Sequence, residues 1–371
     1  MQTNKKKYLF VSYTDFDSGK LTGAHRRFLE LLTSVSGVAN VVFVGRPSQK
    51  IERLRNVKVY PIDPNVGKKL PKHLAGGYSI YKTLRKNKET GKCDYAIAFT
   101  PITAIFCWMA GIKHIVSLFR ENLIGYQQAL LASKRKIAYF QLQERIAVKA
   151  SEKIIVQCED DRKNLIERNR SYCKKISDKV FVQINNANAS WMNTECLARS
   201  DNGDTPKILF IGNFSDRRKG HFILLPAVIK LLNEGYKVEL LCAGDGCELN
   251  EWKKKCDTYS EIHFLGHVSN MKEYLLQSDM LIVPSLIDSC PNTVLEGLNA
   301  GLAVYGANAG GIPDLLQDDA YMFSPDEDSI YAFLKEILDS CRYKKDSETQ
   351  QSLKRFLSFD WGEKIRIIIE S

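Results

Sequence analysis

The stretch VPSLIDSCPNTVLEGLNAG, residues 283–301, decides how this chain is interpreted. It begins at the end of an apolar run, Met280–Val283, which predicts a buried strand. The run is broken by two prolines, Pro284 and Pro291. Apolar residues then return at helical spacing from Val294 onward. We therefore predict a strand, a loop and a helix in immediate succession.

Two carboxylates bracket this turn, Asp288 in the loop and Glu296 in the helix. Three polar residues near the helix start are available as caps: Ser289, Asn292 and Thr293. A helix N-terminus at the carboxyl end of a strand presents free N–H groups and the positive dipole end, which suits a phosphate. Because carboxylates suit hydroxyl groups, the stretch indicates a nucleotide-sugar site. On two acids alone, a strand–loop–helix unit with solvent-facing carboxylates stays open.

The stretch resembles the signature of glycosyltransferase family 4, also called glycosyltransferase group 1, whose members are retaining enzymes with the GT-B architecture. The family pattern is Pro-Ser, an acid, seven residues and a Glu, and this chain keeps that spacing. Asp288 stands where the family usually has Glu. The resemblance implies that Glu296 holds the ribose hydroxyls and that Asp288 contacts the transferred sugar. It also places Asn292 and Thr293 at the donor.

A basic loop opens the second half of the chain, in residues 212–220, GNFSDRRKG. Cations at such a strand end can neutralise the charge that develops on a departing diphosphate. Lys219 falls on the lysine of the similar family loop, whereas Asn213 occupies the position of the family arginine. The missing charge is then expected from Arg217 or Arg218, and a solvated basic turn is the alternative.

Further contacts follow from the resemblance alone. The family residue after the third strand of this half lies near the nucleobase, which points to Val268. Relatives carry two glycines after their first strand, and Gly23 is the one that remains here for an amide contact to the diphosphate. The Gly310–Gly311 turn is expected to pass close to the bound sugar.

We predict no metal site. Asp15 and Asp17 spell the metal-binding acid pair of the other large glycosyltransferase fold, but they follow the first strand directly and indicate a turn. His263 and His267 lie on a strand that runs into a turn, where a spacing of four does not place them on one helical face.

Strands and helices alternate along the chain, which predicts βαβ units with parallel sheets. The expected architecture is α/β, with two Rossmann-like domains facing across a cleft and a C-terminal helix that crosses back to the first domain. We place the boundaries as follows: residues 1–188 for an acceptor-binding domain, 189–206 for a linker, 207–345 for a nucleotide-sugar-binding domain and 346–371 for the crossing helices.

Charge is divided unevenly between the halves. Residues 1–190 contain 34 Lys and Arg against 15 Asp and Glu, and residues 191–371 contain 19 against 28. Such a split suggests that the first half meets an anionic surface, with a membrane as the candidate. The lysines and arginines of residues 68–92 strengthen this interpretation. Scattered cysteines without a Cys-x-x-Cys pair, and the lack of a membrane-length apolar run, predict a reduced cytoplasmic protein that is peripheral at the inner face of the membrane.

The combined prediction is a retaining, metal-independent glycosyltransferase that acts in cell-surface polysaccharide or glycolipid biosynthesis. Its donor would be linked to UDP or GDP, its acceptor a glycan or a lipid-linked glycan, and it would need no cofactor. Lys219, Asp288 and Arg218 are the expected catalytic residues. A nucleotide-sugar 2-epimerase of similar layout and a non-catalytic nucleotide-binding scaffold stay open. No aromatic–basic motif supports a nucleic-acid binder.

Overall fold

A computed structural model describes residues 5–18, 23–67, 69–186 and 205–371. The contacts divide the chain into two units. The first unit comprises residues up to Ile124, Ala132–Gln183 and Asp360–Ser371, and the second comprises Gly125–Leu131 and Ile184–Phe359. Most of the predicted linker, residues 189–206, lies outside the described residues.

The first unit is built on a seven-stranded parallel sheet with the order β3-β2-β1-β4-β5-β6-β7. Its strands are β1 (Lys7–Ser12), β2 (Asn40–Gly45), β3 (Val57–Pro61), β4 (Tyr95–Ala98), β5 (Ile115–Leu118), β6 (Lys153–Val156) and β7 (Val180–Val182). In sequence, the helices between them are α1 (Gly23–Val38), α2 (Gln49–Glu52), α3 (Lys72–Lys86), α4 (Pro101–Met109), α5 (Leu123–Ala129), α6 (Lys134–Ala150), α7 (Glu159–Asn169) and α8 (Ile176–Lys179). Most of α5 belongs to the second unit, as part of Gly125–Leu131.

The second unit contains a six-stranded parallel sheet with the order β10-β9-β8-β11-β12-β13. Its strands are β8 (Lys207–Ile211), β9 (Glu239–Ala243), β10 (Ile262–Gly266), β11 (Met280–Val283), β12 (Ala303–Ala307) and β13 (Met322–Phe323). Its helices are α9 (His221–Asn233), α10 (Leu249–Lys255), α11 (Met271–Leu276), α12 (Asn292–Ala300), α13 (Ile312–Leu316), α14 (Glu327–Asp339), α15 (Arg342–Thr349) and α16 (Gln351–Phe356).

Both sheets have buried central strands because helices cover both of their faces. Every residue of β11 is buried, as are residues 8–12 of β1. Strands covered on both sides become continuous apolar runs rather than alternating ones, and such runs carried the prediction of a parallel sheet. The predicted fold class, α/β with two Rossmann-like units of the GT-B type, is confirmed by the two sheets.

The last helix, α17 (Trp361–Glu370), belongs to the first unit and packs on α1. Trp361 is fully buried, and the guanidinium groups of Arg27 and Arg120 each lie 5.4 Å from its ring centroid. The Lys153 ammonium donates to the Ile368 carbonyl oxygen at 2.9 Å, which satisfies an acceptor at the end of the helix.

The return to the first unit starts later than residue 346, where the sequence placed it. The contacts assign residues 346–359 to the second unit and only Asp360–Ser371 to the first. The reason lies in Gln350, whose buried side chain accepts from the Val304 amide at 2.7 Å and donates to the Val304 carbonyl at 2.8 Å. These two bonds tie the segment to strand β12.

No helix in the described parts of the chain has the length and apolar character needed to cross a membrane. Each described cysteine is a free thiol. Several of them are buried as the sequence suggested, and burial raises the pKa of the Cys107 thiol to about 12.

Candidate functional site

The candidate site lies where the strand order of the second unit reverses. From β8 the chain moves outward to β9 and β10, and then returns to place β11 on the other side of β8. In an open parallel sheet, ligands bind at the carboxyl ends of the strands at such a switch point. The loops after β8 and β11 carry the two residues that the sequence singled out first, Lys219 and Asp288.

Lys219 and Asp288 are brought together as an ion pair. The Lys219 Nζ donates to Asp288 Oδ2 at 2.6 Å, and the two side chains are 26% and 17% exposed. Residues far apart in sequence thus form one charged group at the switch point. A partly exposed pair retains access to a ligand while it is less screened than a surface pair.

The loop after β8 is packed tightly against the loop after β11. Gly220 has a φ of +76°, and a Cβ at this position would lie 1.9 Å from the Pro284 carbonyl oxygen. The Leu286 amide donates to the Arg218 carbonyl oxygen at 2.8 Å. Only glycine permits both this conformation and this approach, so Gly220 determines where the preceding Lys219 stands.

The second loop is held in turn by the turn after β12. Gly310 has a φ of +58°, and its Cβ would lie 2.3 Å from the Asp288 carbonyl oxygen. The Gly311 amide donates to the same oxygen at 2.8 Å. The two glycines therefore position the backbone of Asp288. That this turn also passes close to a bound sugar stays a prediction.

Arg218 is engaged by a carboxylate in its own loop. Its Nε and Nη2 donate to the two oxygens of Asp216 at 3.0 and 2.7 Å, and its guanidinium lies 3.9 Å from the Tyr126 ring centroid. Burial alone would raise the pKa of Asp216, but the hydrogen bonds from Arg218 outweigh it and lower that pKa. Arg218 is thus held beside Lys219, and its Nε and Nη2 are already bonded to Asp216.

Arg217 extends toward the turn after β9. Its Nη1 lies 3.5 Å from Glu248 Oε1, and its guanidinium lies 4.4 Å from the Phe222 ring centroid. Glu248 also pairs at 2.9 Å with Nε2 of His221, which is fully buried. The sequence did not identify Glu248 or His221 as neighbours of the basic loop. The sequence feature that could have indicated this contact is the Gly244-x-Gly246 turn just before Glu248. In the structure this turn packs against the basic loop, since a Cβ on Gly246 would lie 2.2 Å from the Ser215 amide nitrogen.

Asn213 stabilises its own loop. The side-chain oxygen accepts from the Ser215 amide at 2.7 Å, which is an Asx-type turn. The residue itself is exposed. In the position where the resemblance expects an arginine, this chain therefore has a turn-forming side chain.

Helix α12 starts at Asn292, as the apolar spacing predicted, but without a side-chain cap. The N-cap residue is Pro291, and among the described residues no side-chain cap hydrogen bond is made at this helix end. The expectation that Ser289, Asn292 or Thr293 would act as caps is wrong, because Asn292 lies inside the helix and its Oδ1 faces Asn185 Nδ2 at 3.5 Å. An N-terminus that no side chain caps can offer its N–H groups to a ligand.

Glu296 lies one turn further along α12 and is half-buried. Because residues three and four apart share a helix face, Glu296 faces the same way as Asn292 and Thr293. Three of the predicted donor-binding residues are therefore grouped on one side of the helix start.

Two predicted residues lie apart from this group. Val268 is half-buried in the loop after β10, the edge strand, which is two strands from β8. Gly23 is the first residue of α1 in the first unit and follows directly on residues 19–22, which are outside the described part of the chain.

The first unit has a cavity at its own switch point, between β1 and β4. It encloses about 330 Å³ and lies among residues that follow β1, β4 and β5 together with the start of α1. Its walls combine aromatic and polar side chains, including Tyr13, Phe28, Phe99, Thr100, Phe119 and Arg120. The sequence did not predict an aromatic cavity at this position.

Burial affects the pKa values of two groups in this cavity. It lowers the pKa of His25 and raises that of Tyr13, so both side chains favour their uncharged forms. An aromatic and hydroxyl-bearing wall, with Arg120 and Glu121 as its charged members, is suited to a polar ligand with an apolar face.

The Asp15–Asp17 segment forms a turn, as expected. Asp15 Oδ1 accepts from the amides of Asp17 and Ser18, and Asp17 accepts from Ser48 Oγ at 3.0 Å and the Gln49 amide at 2.8 Å. The Gln49 amide is the main cause of the lowered pKa of Asp17. Across the described residues, no group of three or more His, Cys, Asp or Glu is arranged to hold a metal ion.

Comparison with known proteins finds a family match within the second unit. Residues 205–340 match the family described as "Glycosyl transferases group 1". The chain is 30% identical over 130 residues to "Protein CapJ" of Staphylococcus aureus, which covers 34% of this chain and 33% of that one. It is 29% identical over 161 residues to "Phosphatidyl-myo-inositol mannosyltransferase" of Mycolicibacterium smegmatis, with 42% of each chain covered. The first such relatives are thus matched over about a third of their length.

Solved structures resemble the chain over almost its whole length. The Anabaena protein Alr3699/HepE, solved in complex with UDP-glucose, has a TM-score of 0.71 at 15% identity and covers 98% of this chain and 99% of its own. WaaG, a glycosyltransferase involved in lipopolysaccharide biosynthesis, has a TM-score of 0.67 at 14% identity with 98% and 99% coverage. At such identities the likeness establishes the fold.

Proposed function

Because residues 205–340 match the family described as "Glycosyl transferases group 1", we propose that this protein is a glycosyltransferase. It transfers a sugar from a nucleotide-sugar donor to an acceptor hydroxyl. It does so with retention of the anomeric configuration and without a metal ion or other cofactor.

The observation that carries the proposal is the Lys219–Asp288 pair beside the uncapped start of α12. The pair joins a cation suited to a diphosphate and an acid suited to sugar hydroxyls, 2.6 Å apart at the switch point. The helix start adds N–H groups and a positive dipole end on the same edge of the sheet. A nucleotide-sugar presents both kinds of group within one molecule.

Each residue then has a distinct role. Lys219 stabilises the diphosphate as it departs, and Arg218 or Arg217 adds charge once its present carboxylate partner is exchanged for phosphate. Asp288 binds hydroxyls of the transferred sugar. The remaining proposed donor contacts are Glu296 at the ribose, Asn292 and Thr293 at the helix start, Val268 at the base, and Asn213 and Gly23 at the phosphates.

The chemistry needs no nucleophile from the protein. The bond between the sugar C1 and the diphosphate oxygen breaks, and the acceptor oxygen bonds to C1 on the same face. The acceptor proton passes to the departing diphosphate oxygen, which balances the reaction. The protein contributes positioning and electrostatic stabilisation of the growing negative charge.

The acceptor is proposed to be a glycan or lipid-linked glycan that enters the cavity of the first unit. Aromatic walls suit the apolar face of a sugar ring, and Thr100, Tyr13 and Arg120 can bond its hydroxyls. The name of the relative phosphatidyl-myo-inositol mannosyltransferase suits a role in cell-surface polysaccharide or glycolipid synthesis. Such a role places the protein in the cytoplasm, at the inner face of the membrane.

The proposal is tested by thermal shift with UDP, GDP and ADP in the presence of EDTA. A ligand that binds only the folded state raises the midpoint, by an amount that grows with concentration. The nucleotide that binds is then supplied as its glucose conjugate, with and without candidate glycans. Transfer only in the presence of an acceptor supports the proposal; release of an epimerised sugar without acceptor indicates the epimerase. If no nucleotide shifts the midpoint, the proposed function is wrong.

A further inference from the structure

Three helices on one side of the first unit form an unusually basic layer. Helix α3 packs against α4, and α4 packs against α6. Together these helices contain a single acidic residue, Glu144. Eight of their lysines and arginines are exposed: Lys82, Arg85, Lys86, Lys134, Arg135, Lys136, Arg145 and Lys149.

Glu144 does not neutralise this layer, because it is turned toward α7. Its carboxylate accepts from the Arg168 guanidinium at 3.1 and 2.8 Å and from the Asn169 side chain at 2.7 Å. Its side chain is only 12% exposed. Within the described residues, none of the five cations of α6 takes part in an ion pair. The outer face of α6 therefore carries positive charge that no ion pair compensates in the described part of the chain.

Large apolar side chains are exposed among these cations. Leu142 is 57% exposed and Tyr139 37% on α6, while Trp108 and Met109 are 45% and 53% exposed at the end of α4. Charged and apolar groups follow one another along α6 at helical spacing, in the order Arg135, Tyr139, Leu142, Arg145 and Lys149. Residues at this spacing lie on one stripe of a helix, so cations and apolar side chains share a single face.

We propose that this face, defined as the outer stripe of α6 with Trp108 and Met109 of α4, docks on an anionic lipid surface. Cations attract the phosphate groups of the lipids, and leucine, methionine and tryptophan side chains enter the boundary between headgroups and acyl chains. A face that exposes Leu142 and Met109 favours lipid over nucleic acid, because aliphatic side chains gain nothing from a phosphate backbone.

The inference deepens the proposed function, since it states which surface of the protein docks on the membrane that carries a lipid-linked acceptor. It rests on that function only for this purpose, because docking itself requires neither donor nor transfer. It also moves the contact away from residues 68–92, where the sequence placed it, to α6.

Docking is tested by co-sedimentation of the full chain with vesicles of phosphatidylcholine alone or with a third phosphatidylglycerol. Binding is expected to the anionic vesicles only and to weaken at high salt, because the Debye length falls to about 3 Å at 1 M. The variant Arg135→Gln/Arg145→Gln/Lys149→Gln should lower the partition coefficient about 100-fold, since each interfacial cation contributes a factor of about five. The matched control, Lys237→Gln/Lys253→Gln/Lys254→Gln, removes three exposed charges from the second unit and should bind as the parent does.

Leu142→Gln tests apolar insertion and should weaken partitioning about tenfold, because a large apolar side chain no longer leaves water. Ile367→Gln is its control, since Ile367 is 52% exposed on α17. In a Trp191→Phe background, lipids with brominated acyl chains should quench the exposed Trp108, because Trp252 and Trp361 are buried. Trp108→Phe should abolish that quenching.

Equal loss in the two triple variants would overturn the proposal, as would absence of vesicle binding or of Trp108 quenching. Tighter binding to duplex DNA or RNA at physiological salt, unaffected by Leu142→Gln, would assign the face to nucleic acid instead. The nucleotide-induced thermal shift is measured on the same samples. A docking-deficient variant that keeps this shift separates failure of docking from failure of the proposed transfer function.

Discussion

The two units of this protein place different chemistry at the same topological position. In both sheets the strand order reverses beside the first strand of the unit, β1 or β8. In the second unit the switch point holds a charged pair, Lys219 and Asp288, within loops packed so closely that a Cβ on Gly220 or Gly310 would collide with backbone. In the first unit the equivalent position is a cavity of about 330 Å³ with aromatic walls.

The difference shows that this topology fixes where a ligand binds, while the loops decide which kind. A rigid charged pair suits a donor whose diphosphate changes in charge during the reaction. An open aromatic cavity suits a neutral ring that is held by its shape and hydroxyls. If this division is correct, substitutions in the second unit change donor binding and turnover, and those in the first unit change use of the acceptor.

The largest effect is expected for Lys219→Ala. Turnover should fall on the order of 10²- to 10³-fold, because the lysine faces charge that grows as the glycosidic bond breaks. Donor affinity should fall much less. Steady-state kinetics with varied donor separate the two quantities, and Lys253→Ala, an exposed lysine on α10, is the control. Unchanged turnover would mean that the basic loop does not take part in the reaction.

Glu296→Gln should weaken donor binding by about 10- to 150-fold, which corresponds to a charge-assisted interaction of roughly 1.5 to 3 kcal/mol. Titration calorimetry with the cognate donor measures this loss. Glu327→Gln, at the exposed start of α14, provides the matched change without an effect on the ligand. A variant with parental affinity would mean that Glu296 does not contact the ribose.

Substitutions of Asp288 test its two proposed roles, as the ion-pair partner of Lys219 and as a ligand of the transferred sugar. Asp288→Asn should lower turnover about tenfold, because the lysine loses its charged partner and the sugar a charged acceptor. Asp288→Glu, which restores the usual family residue, moves the carboxylate by about 1.5 Å, the length of one carbon–carbon bond. It is expected to retain activity and to change the preference among donor sugars. Full activity in Asp288→Asn would contradict a role for its charge.

The smallest effect tests the first unit. Thr14→Leu adds bulk to the wall of the cavity and should raise the KM for acceptor about tenfold while the donor Kd stays the same. Thr14→Val is the control, since it removes the hydroxyl but adds no volume. An increase in donor Kd with no change in acceptor KM would reverse the assignment of the two switch points.

The sequence predicted secondary structure well where burial determined it. The apolar run Met280–Val283 gave strand β11 with the bounds observed, because a strand covered on both faces leaves a continuous apolar run. The sequence did not indicate that the chain returns to the first unit only at Asp360. It depends on the Gln350–Val304 hydrogen bonds, which join residues distant in sequence.

The candidate site was predicted as a set of residue types but not as a set of partnerships. The spacing indicated Lys219, Asp288 and Glu296, yet it could not reveal that Lys219 and Asp288 meet. Nor could it reveal that Arg218 turns back to Asp216, because neighbouring charges compete and the outcome depends on the shape of the turn. The cap residues were misjudged for a similar reason: the position of Pro291 decided which residue stood outside the helix.

The burial of Trp361 between Arg27 and Arg120 has a consequence for biogenesis. Both arginines leave the ribosome early, whereas Trp361 emerges only after the whole second unit has been synthesised. Domains of a nascent chain generally fold in order from the N-terminus. The surface of α1 that α17 covers is therefore still exposed when the sheet of the first unit has formed. It must stay exposed during translation until α17 has been synthesised.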